Sequence, residues 1–152
     1  MSRISGPGVT VECGPPVTSL KHLTMKDSPY RETFEGLETL EQPQSLDILF
    51  AQRLKDFSGL WHASPSLRVL DLEAYKGLTN LDFLSHITGL TYLGIGDCGA
   101  IASLGPVALN ADLIKLIALD STTIEDKDLS PLLKLPKSGS VSAVWRRSVI
   151  AF

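Results

Sequence analysis

Cysteine and aromatic residues are scarce in this sequence, and long apolar runs are missing from it. The 152 residues include two cysteines, Cys13 and Cys98, and 7% aromatics. No stretch approaches the roughly 18 apolar residues that a membrane-spanning helix needs, and the opening MSRISGPGVTVEC contains no apolar core of a secretory signal. These absences favour a cytoplasmic protein whose two thiols stay reduced.

A large excess of either charge is also missing. The sequence has 14 Lys and Arg residues against 17 Asp and Glu, for a net charge of −3. Domains that bind nucleic acids or anionic membranes usually carry a positive excess, so the composition argues against both kinds of partner. The hydrophobic content of 43% and the length fit one globular domain over residues 1–152.

A motif of the form L-x-x-L-x-apolar is repeated along the chain. The segments SLRVLDL, GLTYLGI and DLIKLIA carry it, and SLKHLTM and SLDILFA precede them. Because alternate positions of a strand share a face, each copy predicts a short strand. The five predicted strands, counted from the first leucine of each copy, span residues 20–25, 46–51, 67–72, 90–95 and 113–118.

Between these motifs, apolar residues recur at every third position, as at Leu78, Leu81 and Leu84. A step of three aligns side chains on one face of a 3₁₀ turn or of a short helix. Each unit is therefore predicted to be a strand followed by short helical turns. One unit cannot bury its apolar face alone, so the units should stack and bury a shared row of leucines. That row includes Leu70, Leu93 and Leu116.

Together these features resemble the leucine-rich repeat family, in particular its short bacterial, internalin-like repeats of about 22 residues. The segment LTNLDFLSHITGLTYLGIGDCGAI carries the resemblance best. It implies an α/β solenoid with a parallel β-sheet on one face and short helical or 3₁₀ turns on the other. Residues 1–17 would form an N-terminal cap with a strand at 9–13, residues 18–136 five repeats, and residues 137–152 a degenerate C-terminal cap with a strand at 140–145.

The sequence departs from the family's pattern in two respects. The family usually places Asn or Cys in the turn after each strand, and only Cys98 fits among the residues found there, which are Ser28, Leu54, Tyr75, Cys98 and Ser121. In the fifth unit a second set of apolar residues, shifted by one position, competes for the inward face, and such a shift would exchange the two faces. The competing sets are Leu113, Leu116 and Ala118 against Ile114, Ile117 and Leu119.

The outward face of the predicted sheet is the candidate binding surface. It carries apolar side chains among charged ones, which is typical of a contact site, with Tyr92 and Phe50 as expected anchors. Gly94 and Gly96 could leave a dip beside Tyr92. The alternative is that the repeat frame slips, or that the C-terminal segment covers part of this face. The residues predicted to contact a partner are Ile48, Phe50, Val69, Asp71, Glu73, Tyr92, Lys115 and Ile117.

The function predicted from these features is a non-enzymatic protein-binding module without cofactor or metal, either monomeric or a weak homodimer. One alternative is a self-associating structural protein, and another is a hydrolase-type enzyme that uses Asp71, Glu73 and Asp97. A catalytic Cys98 is disfavoured because a nucleophile needs a positioned base. The three histidines are scattered over the predicted elements, on a strand at His22 and on connections at His62 and His86.

Overall fold

The structure of the chain is a computed structural model. It describes residues 2–6, 9–13, 20–27, 30, 32–34, 36–63, 65–135 and 142–146. Of residues 2–6, 9–13, 38 and 142–146 it describes the backbone alone.

An eight-stranded sheet organises these residues, and most of it is parallel. The strands are β1 (Ser2–Gly6), β2 (Val9–Cys13), β3 (His22–Lys26), β4 (Ser45–Leu49), β5 (Val69–Glu73), β6 (Tyr92–Gly96), β7 (Ala100–Ile101), β8 (Lys115–Leu119), β9 (Thr123–Ile124) and β10 (Ser142–Arg146). The order in the sheet is β1-β2-β3-β4-β5-β6-β8-β10, with antiparallel pairing of β1 to β2 and of β2 to β3, and parallel pairing from β3 onward. Strands β7 and β9 form a separate parallel pair. The predicted parallel sheet is confirmed, whereas β1 was not expected.

Short helical turns lie in the connections between successive parallel strands, as the step of three predicts. Each turn has an apolar residue buried on its inner side, as Leu60 and Leu84 show. The turns are 3₁₀ at Leu37–Thr39, Ser58–Trp61, Asp82–His86 and Gly105–Leu109, and α-helical at Ser130–Leu133, which is α1. No helix of the described residues is long and apolar enough to cross a membrane.

The core is built from two rows of side chains that cross the sheet in register. The leucine row, Leu23–Leu46–Leu70–Leu93–Leu116, and the row Met25–Ile48–Leu72–Ile95–Ala118 are at most 4% exposed. The first leucine of the motif is buried as well, but it precedes the strand instead of beginning it. Strands β3, β5, β6 and β8 therefore begin two residues after the predicted positions.

The structure corrects the frame predicted for the second unit, that is, which of its residues face inward. Leu46 pairs with Leu23 and Leu70, so it occupies the second apolar position of its unit, and the buried Pro43 occupies the first. Ile48 is 0% exposed, so its predicted place on the outward face is wrong. With Pro43 as its start, every unit is 23 or 24 residues long. The segment PQSLDILFA fits both frames, with Pro43 in place of the first leucine in one of them, and stacking on the neighbouring strands selects that one.

The fifth unit keeps the frame that begins at Leu113. Leu113, Leu116 and Ala118 are at most 1% exposed, whereas Ile114 is 60% exposed. The competing frame is therefore excluded, and Ile117 lies on the outward face as predicted.

A residue with a left-handed backbone conformation follows each of the five strands β3, β4, β5, β6 and β8. This conformation reverses the chain sharply and is uncommon for residues other than glycine. Asp tolerates it better than Phe or Ala do, so two of the five turns carry more backbone strain than the rest. The five residues are Asp27, Phe50, Ala74, Asp97 and Asp120, with φ between 51° and 59°.

Candidate binding face of the parallel sheet

The outward positions of the five strands form one continuous surface, named here the sheet face. These positions alternate with the buried rows, as the two-residue period of a strand requires. Most of them are exposed or half-buried. The sheet face consists of His22, Thr24 and Lys26; Ser45, Asp47 and Leu49; Val69, Asp71 and Glu73; Tyr92, Gly94 and Gly96; and Lys115, Ile117 and Leu119.

Three carboxylates, named here the acidic cluster, meet near the middle of the sheet face. Asp47 pairs in register with Asp71, and Glu73 lies two residues further along the same strand. Burial raises the pKa of Asp71, and the negative charges of Asp47 and Glu73 raise it further, while a hydrogen bond from the Tyr92 hydroxyl acts in the opposite direction. Thr24 Oγ1 donates to Asp47 Oδ2 at 3.3 Å. The cluster thus concentrates negative charge at a partly desolvated position.

Asp47 is absent from the residues predicted for this face, because the predicted frame of the second unit places Ile48 and Phe50 outward instead. With the frame corrected, the alternation of the sequence places Asp47 beside Asp71. A small cavity of about 140 Å³ lies between Asp47, Leu49, Asp71 and Glu73. The cluster therefore has room above it for a group the size of a side-chain terminus.

The two glycines of β6 do not leave the predicted dip. A Cβ on Gly94 would lie 2.2 Å from Asp71 Oδ1 and 3.2 Å from Tyr92 Cε1, so the Asp71 carboxylate occupies the space above this glycine. At Gly96 the Glu73 side chain lies 3.6 Å from the corresponding position. Both glycines are buried by their neighbours. The missing side chains leave room for Asp71 above Gly94 and for Glu73 beside Gly96.

Tyr92 joins the acidic cluster to the apolar and basic part of the sheet face. Its hydroxyl contacts Asp71, while Lys115 Nζ lies 5.7 Å from the centre of its ring. Burial and the charge of Asp71 raise the pKa of Tyr92. Val69 and Ile117 are half-buried on the strands to either side.

Phe50 lies in the turn that follows β4 instead of on a strand. It is 43% exposed, and its backbone N–H donates to the carbonyl oxygen of Glu73 at 3.0 Å. Its predicted strand position is wrong because the unit was counted from Leu46. The ring is nevertheless exposed in the turn beside the backbone of Glu73.

The structure does not bring Asp97 into the acidic cluster. Asp97 lies in the turn after β6, where its carboxylate accepts hydrogen bonds from Lys76 Nζ and Ser121 Oγ. These hydrogen bonds lower the pKa of Asp97. Lys76 Nζ also contacts Ser121 Oγ at 2.6 Å. Among the described side chains, no group of three or more His, Cys, Asp or Glu residues could hold a metal ion.

Cys98 contributes to the structure of a turn. Its Sγ lies 3.3 Å from the carbonyl oxygens of Leu72 and Gly96, and its backbone N–H donates to Thr122 Oγ1 at 3.0 Å. Burial raises the pKa of this thiol to about 11. Thr122 Oγ1 in turn donates to the carbonyl oxygen of Ile95 at 2.9 Å. Thr122 was not predicted for this role because it lies one residue later in its unit than Cys98 does.

Comparison with models of known families finds no match to this chain, and the curated proteins and solved structures compared with it contain no significant match. The function is therefore argued from the geometry of the chain alone.

Proposed function

We propose that this chain is a leucine-rich repeat solenoid acting as a non-enzymatic protein-binding module, and that its sheet face docks a partner segment bearing a lysine or arginine side chain. The solenoid interpretation is supported by units of 23 or 24 residues, by the parallel in-register strands and by the short turns in the connections. A cytoplasmic location is supported by the buried, unpaired thiol of Cys98.

The observation that carries the binding proposal is the acidic cluster. Asp71 is half-buried next to Asp47 and Glu73. Burial raises the pKa of Asp71, and the negative charges of the two neighbours raise it further. A lysine or arginine placed above these carboxylates would replace lost solvation and offset the repulsion. The cavity of about 140 Å³ lined by the cluster can accommodate such a terminus.

Apolar groups around the acidic cluster provide contact area for the rest of a partner segment. Leu49 and Val69 are half-buried on the strands that carry the carboxylates, and Tyr92 lies on the next strand. An aromatic residue in the middle of an interface often supplies much of its binding energy. Tyr92 can bury its ring against a partner while its hydroxyl keeps Asp71 as an acceptor.

The two alternatives have less support. Self-association that brought the two acidic clusters into contact would place like charges across the interface, which disfavours binding. A hydrolase that used Asp71, Glu73 and Asp97 together would need a free Asp97, but Lys76 and Ser121 hold its carboxylate in a turn.

The test is quantitative affinity capture that compares sheet-face variants with matched controls. Asp71→Lys and Tyr92→Ala alter the face, whereas Glu41→Lys and Tyr30→Ala alter exposed residues outside it. A genuine partner should be retained by the wild type and both controls and lost from both face variants. With that partner purified, Tyr92→Ala should weaken binding by about 2 kcal/mol or more.

Salt dependence tests the charge part of the proposal separately. Asp71→Asn should weaken binding more at 50 mM than at 500 mM salt, because salt screens exposed charges. Partners captured equally by face variants and controls, or an affinity that does not depend on Asp71 at low salt, would contradict the proposal.

A further inference from the structure

A second cavity lies on the connections of the repeat, separate from the sheet face. Its volume is about 460 Å³, within the range of pockets that bind small molecules. Lys55 and Asp56 of the β4–β5 connection line one side, and Thr79 and Asn80 of the β5–β6 connection line the other. This cavity is named here the connection pocket.

At the positions equivalent to these four residues, backbone hydrogen bonds join the other neighbouring connections of the repeat. The Asp56 N–H donates to the carbonyl oxygen of Glu32 at 3.1 Å, the Ala102 N–H to that of Thr79 at 2.9 Å, and the Asp126 N–H to that of Ala102 at 3.2 Å. Counting the β3–β4 connection as the first, these bonds link the first connection to the second, the third to the fourth, and the fourth to the fifth.

The equivalent bond is missing between the second and third connections. In the described part of the chain, neither the Thr79 N–H nor the Asn80 N–H donates to a backbone carbonyl of Lys55 or Asp56. All four residues are exposed and line the connection pocket. The Thr79 and Asn80 N–H groups and the Lys55 carbonyl oxygen therefore make no backbone hydrogen bond across this gap.

The sequence supplies a physical reason for this gap. In the second connection Gly59 packs closely on the first, because a Cβ there would lie 2.7 Å from Phe34 Cβ. The equivalent residue of the third connection is Phe83, whose ring stacks on Phe57 with centroids 4.2 Å apart and planes at 11°. The Phe83 ring thus occupies the position that Gly59 leaves without a side chain in the preceding unit. This ring keeps the second and third connections apart.

Aromatic groups also line the connection pocket at its rim. Trp61 contacts His86 with ring centroids 4.1 Å apart and remains 45% exposed. Both residues line the pocket together with Phe57 and Phe83. A flat ligand would therefore meet aromatic surfaces as well as the two backbone edges.

We propose that the connection pocket binds a planar small molecule whose edge carries an N–H donor next to a C=O acceptor, as in a heteroaromatic lactam. The carbonyl of such a ligand accepts from the Thr79 or Asn80 N–H, and its N–H donates to the carbonyl oxygen of Lys55, which is equivalent to the acceptors Glu32 and Thr79 of the other connections. The ligand thereby replaces the missing backbone hydrogen bonds, while its ring packs against the aromatic side chains. This inference does not depend on the proposed function of the sheet face.

The test is an NMR titration of the ¹⁵N-labelled full chain with 2-quinolinone. The amide signals of Thr79 and Asn80 should shift saturably with a Kd of about 1 mM or lower. N-methyl-2-quinolinone keeps the ring and the carbonyl but lacks the donor, so its affinity should be about tenfold weaker. No saturable shift up to 10 mM, or equal affinity for both compounds, would overturn the proposal.

Two exposed apolar residues supply a matched pair of variants. Trp61→Ala should weaken 2-quinolinone binding about fivefold or more, because it removes a ring at the rim of the pocket. Leu109→Ala changes an exposed residue of another connection that does not line the pocket, and it should leave the Kd unchanged. Tyr92→Ala should also leave it unchanged, which separates this pocket from the sheet face. Equal binding by Trp61→Ala and wild type would refute the assignment.

Discussion

Replacing Ile48 and Leu49 separately by alanine tests which frame the second unit adopts. The two side chains are isomers, and either substitution removes three carbon atoms. Ile48 is 0% exposed between Met25 and Leu72 in its row, whereas Leu49 is half-buried on the sheet face. The predicted frame of the sequence assigns them the opposite environments, so the pair discriminates between the two frames.

The expected magnitudes follow from burial. At about 0.8 kcal/mol per buried methylene, truncating Ile48 loses about 2.4 kcal/mol of transfer free energy. The flanking rows then leave a cavity, which places the total within the range of about 2–5 kcal/mol for such substitutions. Leu49 is only half-buried and opens no enclosed cavity, so its truncation should cost about 1 kcal/mol.

Urea denaturation followed by circular dichroism measures both free energies of unfolding. Ile48→Ala should destabilise the protein by about 1–4 kcal/mol more than Leu49→Ala does, which is the difference between the two magnitudes above. Its melting temperature should fall by about 2–4 °C for each kcal/mol lost. Equal losses, or a larger loss for Leu49→Ala, would show that the frame described for this strand is wrong.

Three further outcomes are expected from buried or partly buried polar groups. Asn110 is 1% exposed with no hydrogen-bond partner for its amide in the described structure, and Ile87 occupies the equivalent position. Asn110→Ile should therefore stabilise the protein by about 1–3 kcal/mol in urea denaturation, and a destabilised variant would contradict this. Because the pKa of Asp71 is raised in the folded state, the folded protein binds its proton more tightly than the unfolded chain does, and the charged form opposes folding above that pKa. Asp71→Asn should accordingly stabilise the protein at pH 7, and the gain should disappear as the pH falls below 3.8, the ordinary value; a gain independent of pH would refute the electrostatic cause. In a Cys13→Ser variant, Cys98 should not react with Ellman's reagent at pH 8 until the protein is unfolded, because burial raises its pKa to about 11; rapid reaction in the native state would contradict its buried position.

The local pattern of the sequence predicts the architecture well. Alternating apolar residues predict the strands, and the step of three predicts the 3₁₀ turns, because both periods depend on backbone geometry within a few residues. The repeat distance then predicts parallel strands and the burial of Leu70, Leu93 and Leu116, which are at most 1% exposed. Alternation also predicts strands at 9–13 and 140–145, and the structure has strands at Val9–Cys13 and Ser142–Arg146. The capping role of the two ends stays a prediction.

The candidate site was predictable only in part. The residues that occupy the sheet face as predicted are Val69, Asp71, Glu73, Tyr92, Lys115 and Ile117. Strands β5 and β6 have one compatible frame, and β8 keeps the frame that begins at Leu113. The role of these residues in binding a partner stays a prediction. In β4 two frames fit the same residues. Whether Asp47 or Ile48 faces outward therefore depends on which residue of β4 stacks between Leu23 and Leu70.

The period of the repeat, the strands and turns within it, and most of the inward-facing residues thus follow from the sequence alone. How neighbouring units meet depends on tertiary packing. The Asp71 carboxylate covers Gly94, and the Phe83 ring separates the second and third connections, whereas Gly59 at the equivalent position lets the first and second pack closely. The physical reason is distance along the chain: the period is set by local backbone geometry, whereas these contacts join side chains about one repeat apart, whose fit depends on the packing of both units.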